Sequence, residues 1–348
     1  MTTDFDKLKK EYKEQATQYI IYGFNSGSTK GFFIIEDNQD KDYLLKELKS
    51  YNEKMEPVWT YVYNPVATKK DYTTFRIRHT KNNTVYLSEA RFEKDLCTEY
   101  KIVALDLQTG KEKYEYMLQT PQSKYSHLYV LKDINGQLTI AGNYSPYSQK
   151  DGFSLDDNLG FFKIVLDEQG NEIQKVYTSW SDFKKYIDVD EKGRVEENFR
   201  LRQTGTYIFK DGTISILTEK YKPQFITLKF SDYVLFNMNK DFTVNNIQTI
   251  KKDVSGDRSY LFSQFIKDES GVVFFFQTYA KSNETKEKQW FLGINTLING
   301  ELTQEKIPVS SKKKYVIEPA PAKEGYIMLR EYNEKAEYNQ IRLEKLNY

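Results

Sequence analysis

The sequence predicts an all-β fold, a six-bladed β-propeller of four-stranded antiparallel blades, the last of them either three-stranded or completed by the N-terminal segment, behind a short N-terminal helix. Three observations point there. Tyr and Phe number 28 and 22, and aromatic residues make up 15% of the chain; such rings suit the half-buried pleated surface of a strand. A turn ending in Gly or Asn runs straight into a short aromatic or β-branched segment six times along the chain. A second strand, polar turn and further strand come about thirty residues later in each unit, the rhythm of a repeat with two hairpins per unit.

Asp4 to Ala16 carries Phe5, Leu8, Tyr12 and Ala16 at helical spacing among charges, which predicts an amphipathic helix over residues 1–16. A single β-propeller domain is expected over 17–348. Its first landmarks are Gly31 before Phe32 to Ile35, Asn83 before Thr84 to Leu87, and Gly136 before Gln137 to Ile140. Gly212 before Thr213 to Leu217, Gly271 before Val272 to Phe276, and Gly325 before Tyr326 to Leu329 complete the set, at intervals of 52, 53, 76, 59 and 54 residues. The second landmarks are clearest where Ile102 to Asp106 runs into Thr109-Gly110 and where Lys163 to Asp167 runs into Gln169-Gly170. Small sheets of this kind stay dry only by packing face to face with their neighbours. The long third interval predicts an insertion around 179–198, with a brief helix over Ser181 to Ile187 behind a Ser cap. The sixth unit runs out at Gln340 to Leu346, one strand short.

Turns of the form Leu-Asp-x-x-Gly-Asn-Glu, as at Leu166 to Glu172, joined to Gly-aromatic strand starts, resemble the repeats of uncharacterised six-bladed propeller proteins of Bacteroidetes-type bacteria. The likeness spans roughly residues 17–348. It implies a fold and a location in the cell envelope, and no catalytic residues.

Charge and composition narrow the function classes. With 51 basic and 50 acidic residues, the formal charge is +1, and no basic block marks a footprint for phosphate backbones, so no nucleic-acid partner is expected. Cys97 is the one cysteine, which leaves no intrachain disulfide and no thiolate metal cluster; structural burial is the expectation for it. No apolar run approaches the ~20 residues of a spanning helix. Met1 opens into a polar run, which predicts a cytoplasmic protein, or an envelope or secreted one if a leader has been removed. A monomer is expected.

Concentrated chemistry is not visible. His79 and His127 are the two histidines, in no metal-binding spacing, and neither a metal nor a cofactor is expected. Asp188 to Gly193 imitates the start of a calcium loop, but Lys192 stands where an oxygen ligand belongs, so an ordinary turn is expected. The most suggestive runs are Phe75-Arg76-Ile77-Arg78-His79 and Phe199-Arg200-Leu201-Arg202. Strand alternation sets both arginines of each run on the face opposite the apolar residues, and guanidinium forks suit carboxylates and phosphates. Arg76, Arg78, His79, Arg200 and Arg202 are therefore candidate binding residues, against the alternative of a solvated strand face. Trp180, beside the insertion, is a further candidate as a stacking surface for a sugar or an aromatic group, against the alternative of a tryptophan covering a blade junction. The expected function is a non-catalytic binding or scaffold protein that recognises a glycan, a peptide or an envelope protein through one face. The alternative is a glycosidase-like hydrolase using carboxylates from several blades.

Overall fold

The computed structural model describes residues 18–26, 29–37, 46–64, 71–94, 96–120, 122–147, 158–224, 227–252, 259–266, 269–281, 288–308, 316–323, 325–333 and 338–346. The helix expected over 1–16 lies outside them. Six sheets succeed one another along the chain. Sheet 1 holds β1 (Gln18–Ser26), β2 (Thr29–Asp37), β3 (Lys46–Asn52) and β4 (Pro57–Asn64); sheet 2 holds β5 (Asp71–Lys81), β6 (Thr84–Glu93), β7 (Leu96–Asp106) and β8 (Glu112–Gln119). Sheet 3 is β9 (Tyr125–Ile134), β10 (Gln137–Pro146), β11 (Gly160–Leu166) and β12 (Glu172–Ser179). Sheet 4 adds a two-residue strand, β13 (Arg194–Val195), to β14 (Phe199–Ile208), β15 (Ile214–Gln224), β16 (Thr227–Met238) and β17 (Val244–Ile250). Sheet 5 is β18 (Tyr260–Ile266), β19 (Gly271–Lys281), β20 (Lys288–Ile298) and β21 (Glu301–Pro308), and sheet 6 is the three strands β22 (Val316–Pro321), β23 (Tyr326–Asn333) and β24 (Tyr338–Lys345). Every strand pairs with its neighbour in sequence. The chain is thus all-β, with the blade-by-blade order of a six-bladed propeller.

Two compact units divide the chain: Met1–Ile140 with Tyr144–Asp157 and Lys163–Lys175, and Ala141–Asn143 with Asn158–Phe162 and Val176–Tyr348. In the first, Phe33, Ile35 and Leu48 of sheet 1 pack with Val85, Leu87, Val103 and Leu105 of sheet 2. Trp59 joins that core and donates its indole N–H to the Leu107 carbonyl at 2.9 Å. A Cβ on Gly110, whose φ is +68, would lie 2.6 Å from the Trp59 ring, so the turn admits no side chain there.

In the second unit the first six residues of the strand Gly271–Lys281 are buried on both faces. Val272, Phe274 and Phe276 pack with Leu217, Tyr233 and Leu235 of sheet 4, while Val273 and Phe275 pack with Ile327 and Leu329 of sheet 6. That double burial is why its sequence reads as an unbroken apolar run and not as an alternation.

The polar turns close themselves. Asp106 accepts the amides of Gln108 and Thr109, and Asp167 those of Gln169 and Asn171; Asp211 and Asp241 accept those of Thr213 and Thr243. These are Asx turns, for which Asp and Asn are suited by their short acceptor side chains. Asn83, Gly136, Gly212 and Gly325 take positive φ. Gly31 does not mark a turn: it is paired with Phe24 inside the first hairpin, whose ladder closes at Ser26 and Thr29. Gly271 is likewise a strand residue, and the left-handed position before it is Glu269.

After sheet 3 the chain forms a short helix, α1 (Trp180–Phe183). Its cap is Ser179, two residues before the serine expected for that role: the Asp182 carboxylate accepts both the Ser179 amide and its hydroxyl at 2.8 Å. The helix is a single turn because its two apolar residues, Trp180 and Phe183, are both buried, and the next three residues, Lys184 to Tyr186, are exposed. At Asp188 to Gly193 the expected turn is present, with Asp190 accepting the amides of Lys192 and Arg194 and pairing with the Arg194 guanidinium at 2.9 Å.

Candidate anion-binding site

Sheet 2, in the first unit, carries the first arginine run. Its ladder pairs Ile77 with Leu87 and then His79 with Tyr86, leaving Arg78 as the extra residue of a β-bulge. Bulges re-aim side chains. Here Arg76 is opposite Ser88, and two successive residues, Arg78 and His79, join it on the Tyr86–Ser88 side, while Phe75 and Ile77 pack into the core. Alternation alone would have sent His79 to the apolar face. Instead its ring lies nearly parallel to that of Tyr86, with centroids 6.3 Å apart.

Arg78 is half-buried and held by neutral groups. Its Nε donates to Ser88 Oγ at 2.7 Å and its Nη2 to the Tyr100 hydroxyl at 2.8 Å, and its guanidinium lies 5.3 Å from the centre of the Tyr129 ring. Arg76 is exposed. Among the described residues no carboxylate forms an ion pair with either guanidinium. The charge leaves a mark on its surroundings: burial raises the Tyr100 phenol, but the Ser88 hydrogen bond and the Arg78 cation outweigh it, and the phenol titrates below its usual range. Tyr129, more deeply buried, is pushed well up.

The buried carboxylates of this unit are engaged elsewhere. Glu89 accepts from Tyr61 at 2.8 Å and pairs with Lys101 at 3.3 Å. Asp133 accepts from Tyr86 at 2.6 Å, from Asn82 at 2.8 Å and from the Gly136 amide. Cys97 is half-buried, and burial raises its thiol, which disfavours the nucleophilic thiolate.

The second arginine run lies in the second unit, on β14. Arg200 and Arg202 are both half-buried, and Arg202 faces Glu219 across the ladder, so its surroundings already hold an acidic group. Glu219 itself forms a buried pair with Lys252 at 2.5 Å, with the Lys252 ammonium 4.9 Å from the centre of the Tyr233 ring. Trp180 offers no stacking face. It is 1% exposed, its indole N–H donates to the Asn158 carbonyl at 2.6 Å, and its ring packs with Phe161, Phe183 and Phe236. Trp180 is buried together with Phe183, as part of the core of this unit.

A family model described as a family of unknown function, DUF6770, matches residues 3–254. The chain belongs to the DUF6770 family. The DUF6770 match contains both arginine runs, Trp180 and the Glu219–Lys252 pair, and it ends four residues after β17, so sheets 5 and 6 lie beyond it. No curated protein matches the chain. Among solved structures, the polysaccharide lyase Uly1 is 10% identical with a TM-score of 0.47, over 93% of this chain and 76% of that one. An α-L-arabinanase from Penicillium chrysogenum, complexed with arabinobiose, is 13% identical with a TM-score of 0.40, over 95% and 94%. The β-propeller domain of the trilobed protease from Pyrococcus furiosus is 12% identical with a TM-score of 0.36, over 95% and 97%. Likenesses this distant say nothing about what the DUF6770 chain binds or does.

His127, also within the DUF6770 match, gives a pH dependence with a definite sign. Burial, aided by the charge of Lys175, lowers its pKa from 6.5 to about 4. The folded chain thus keeps the ring neutral while the unfolded chain protonates it. The contribution is fully present above the unfolded pKa and is lost as pH falls through the interval down to the folded one, a change on the order of 3 kcal/mol. Urea unfolding at steps between neutral pH and the lower value should show this loss, and His127→Gln should flatten it; equal slopes for the two proteins would refute the assignment.

Proposed function

We propose that the chain is a non-catalytic binding protein that holds an anionic group, the carboxylate or sulfate of an acidic glycan or the acidic side chain of a peptide, on the sheet 2 face that carries Arg76, Arg78 and His79. One observation carries the reading: a half-buried guanidinium fixed by Ser88, Tyr100 and Tyr129 has only neutral partners among the described residues, with a second, exposed guanidinium two residues away. A cation withdrawn from water without a counter-charge is costly. A bound anion would supply that charge at the guanidinium N–H groups that Ser88 and Tyr100 leave unused.

Arg76→Gln is the clean test, because Arg76 is exposed and holds nothing in place. Binding to an array of carboxylated and sulfated glycans and acidic peptides is expected to weaken about tenfold in this variant, and the wild-type affinity should fall with added salt. Unaltered affinity in Arg76→Gln, or binding that prefers neutral ligands, would defeat the reading. Product formation from any ligand of the array would replace binding with turnover.

A further inference from the structure

A second recess lies in the second unit, between the tight-turn ends of sheets 4 and 5. It encloses about 220 Å³, and the amides and hydroxyls of Thr213, Ser215, Asn237, Asn245, Ser270 and Asn299 share its lining with a larger apolar surface. Two of its lining residues, Ser215 and Asn237, are placed by strand register. Ser215 is opposite Asn237, and Asn237 is opposite Asn246, so three polar side chains line up across β15, β16 and β17. They are hydrogen-bonded along the row: Ser215 Oγ to Asn237 Oδ1 at 2.6 Å, and Asn237 Nδ2 to Asn246 Oδ1 at 2.5 Å. Gln248 extends the row to sheet 5, donating to Asn246 at 3.3 Å and to the Gly300 carbonyl at 3.0 Å.

Ser215 and Asn237 are buried, which fixes them. Asn245 and Asn299 at the mouth are exposed, and among the described residues their side chains make no hydrogen bond. Lys210 and Asp211 sit at the rim with opposite charges, while Phe209 and Met238 supply the apolar lining. Each free amide offers donors and an acceptor together. An occupant that fits this lining pairs with donors and acceptors on one edge, lays an apolar face on Phe209 and Met238, needs no net charge beside the opposite charges of Lys210 and Asp211, and is smaller than the drug-sized ligands that fill pockets of ~300 Å³ and more.

We propose that this recess binds a single neutral sugar ring, with Asn245 and Asn299 contacting its hydroxyls. The site is separate from the arginine face and stands independently of the function proposed for it. The full chain is mixed with D-glucose, D-galactose, D-mannose or L-arabinose at millimolar concentration, and saturation transfer from protein to sugar is read by NMR. At least one of the four should receive transfer, and the amide resonances of Gly212 and Gly300 should shift. Asn245→Leu combined with Asn299→Gly should weaken binding at least tenfold, and Arg76→Gln should leave it unchanged. Both mouth positions are exposed, and Gly tolerates the left-handed backbone of residue 299 (φ 52), so the double variant is expected to fold; a near-ultraviolet spectrum like that of the wild type verifies this. No transfer to any of the four sugars, retained binding in the double variant, or shifts confined to other parts of the chain would overturn the proposal.

Discussion

Lys252→Met is expected to lower the folding free energy by about 3–5 kcal/mol, the cost typical of breaking a buried ion pair from one side. The Lys252 and Glu219 side chains are 2% and 1% exposed. Removing the ammonium leaves a carboxylate in the core with only weak contacts, the amide and hydroxyl of Ser259, each at 3.5 Å. The pair is not strongly stabilising in itself. Burial lowers the Lys252 pKa by more than Glu219 restores. Between that lowered value and the unfolded one, the unfolded chain therefore binds more protons, and stability rises with pH. Because withdrawing both charges from water offsets most of their attraction, Lys252→Met combined with Glu219→Leu should recover most of the loss. Urea unfolding of the three proteins decides the matter: a small effect of the single change, or a double variant as unstable as the single one, would show that the pair is not a buried lock.

Trp180→Ala should cost a similar amount, about 3–5 kcal/mol, by opening a cavity where a fully buried indole meets three phenylalanine rings. The surroundings have little room to collapse. Gly193 is held against the indole at φ +71, where a Cβ would lie 2.5 Å from Nε1, and the Asn158 carbonyl would lose its donor. Trp180→Phe should keep much of the ring contact with Phe161, Phe183 and Phe236 and lose the hydrogen bond and part of the volume, for about half the cost. Equilibrium unfolding by circular dichroism measures both. A Trp180→Ala protein as stable as the wild type would mean that the aromatic cluster is not well packed.

The repeat was legible because its turns are chemically self-sufficient. Asp106, Asp167, Asp211 and Asp241 satisfy amides two or three residues away, so a local reading finds them. Gly31 and Gly271 misled for the same local reason: each begins an aromatic run from inside a ladder, where only pairing distinguishes a strand residue from a turn. The site was half legible. Alternation put Arg76 and Arg78 on one face, but the bulge that adds His79 depends on register with Leu87 and Tyr86. The neutral partners Tyr100 and Tyr129 stand 22 and 51 residues from Arg78, and no spacing rule connects them. Glu219 and Lys252, 33 residues apart, were hidden in the same way, since both read as ordinary surface charges.

Among the described residues each strand pairs only with the strand before or after it in the chain, so no described sheet depends on a partner drawn from a distant stretch of sequence. A whole sheet can therefore be gained or lost in evolution, or trimmed in the laboratory, without any remaining ladder having to find a new register. Length in such a chain changes by modules, and the three strands of sheet 6 show that a module need not be of standard size.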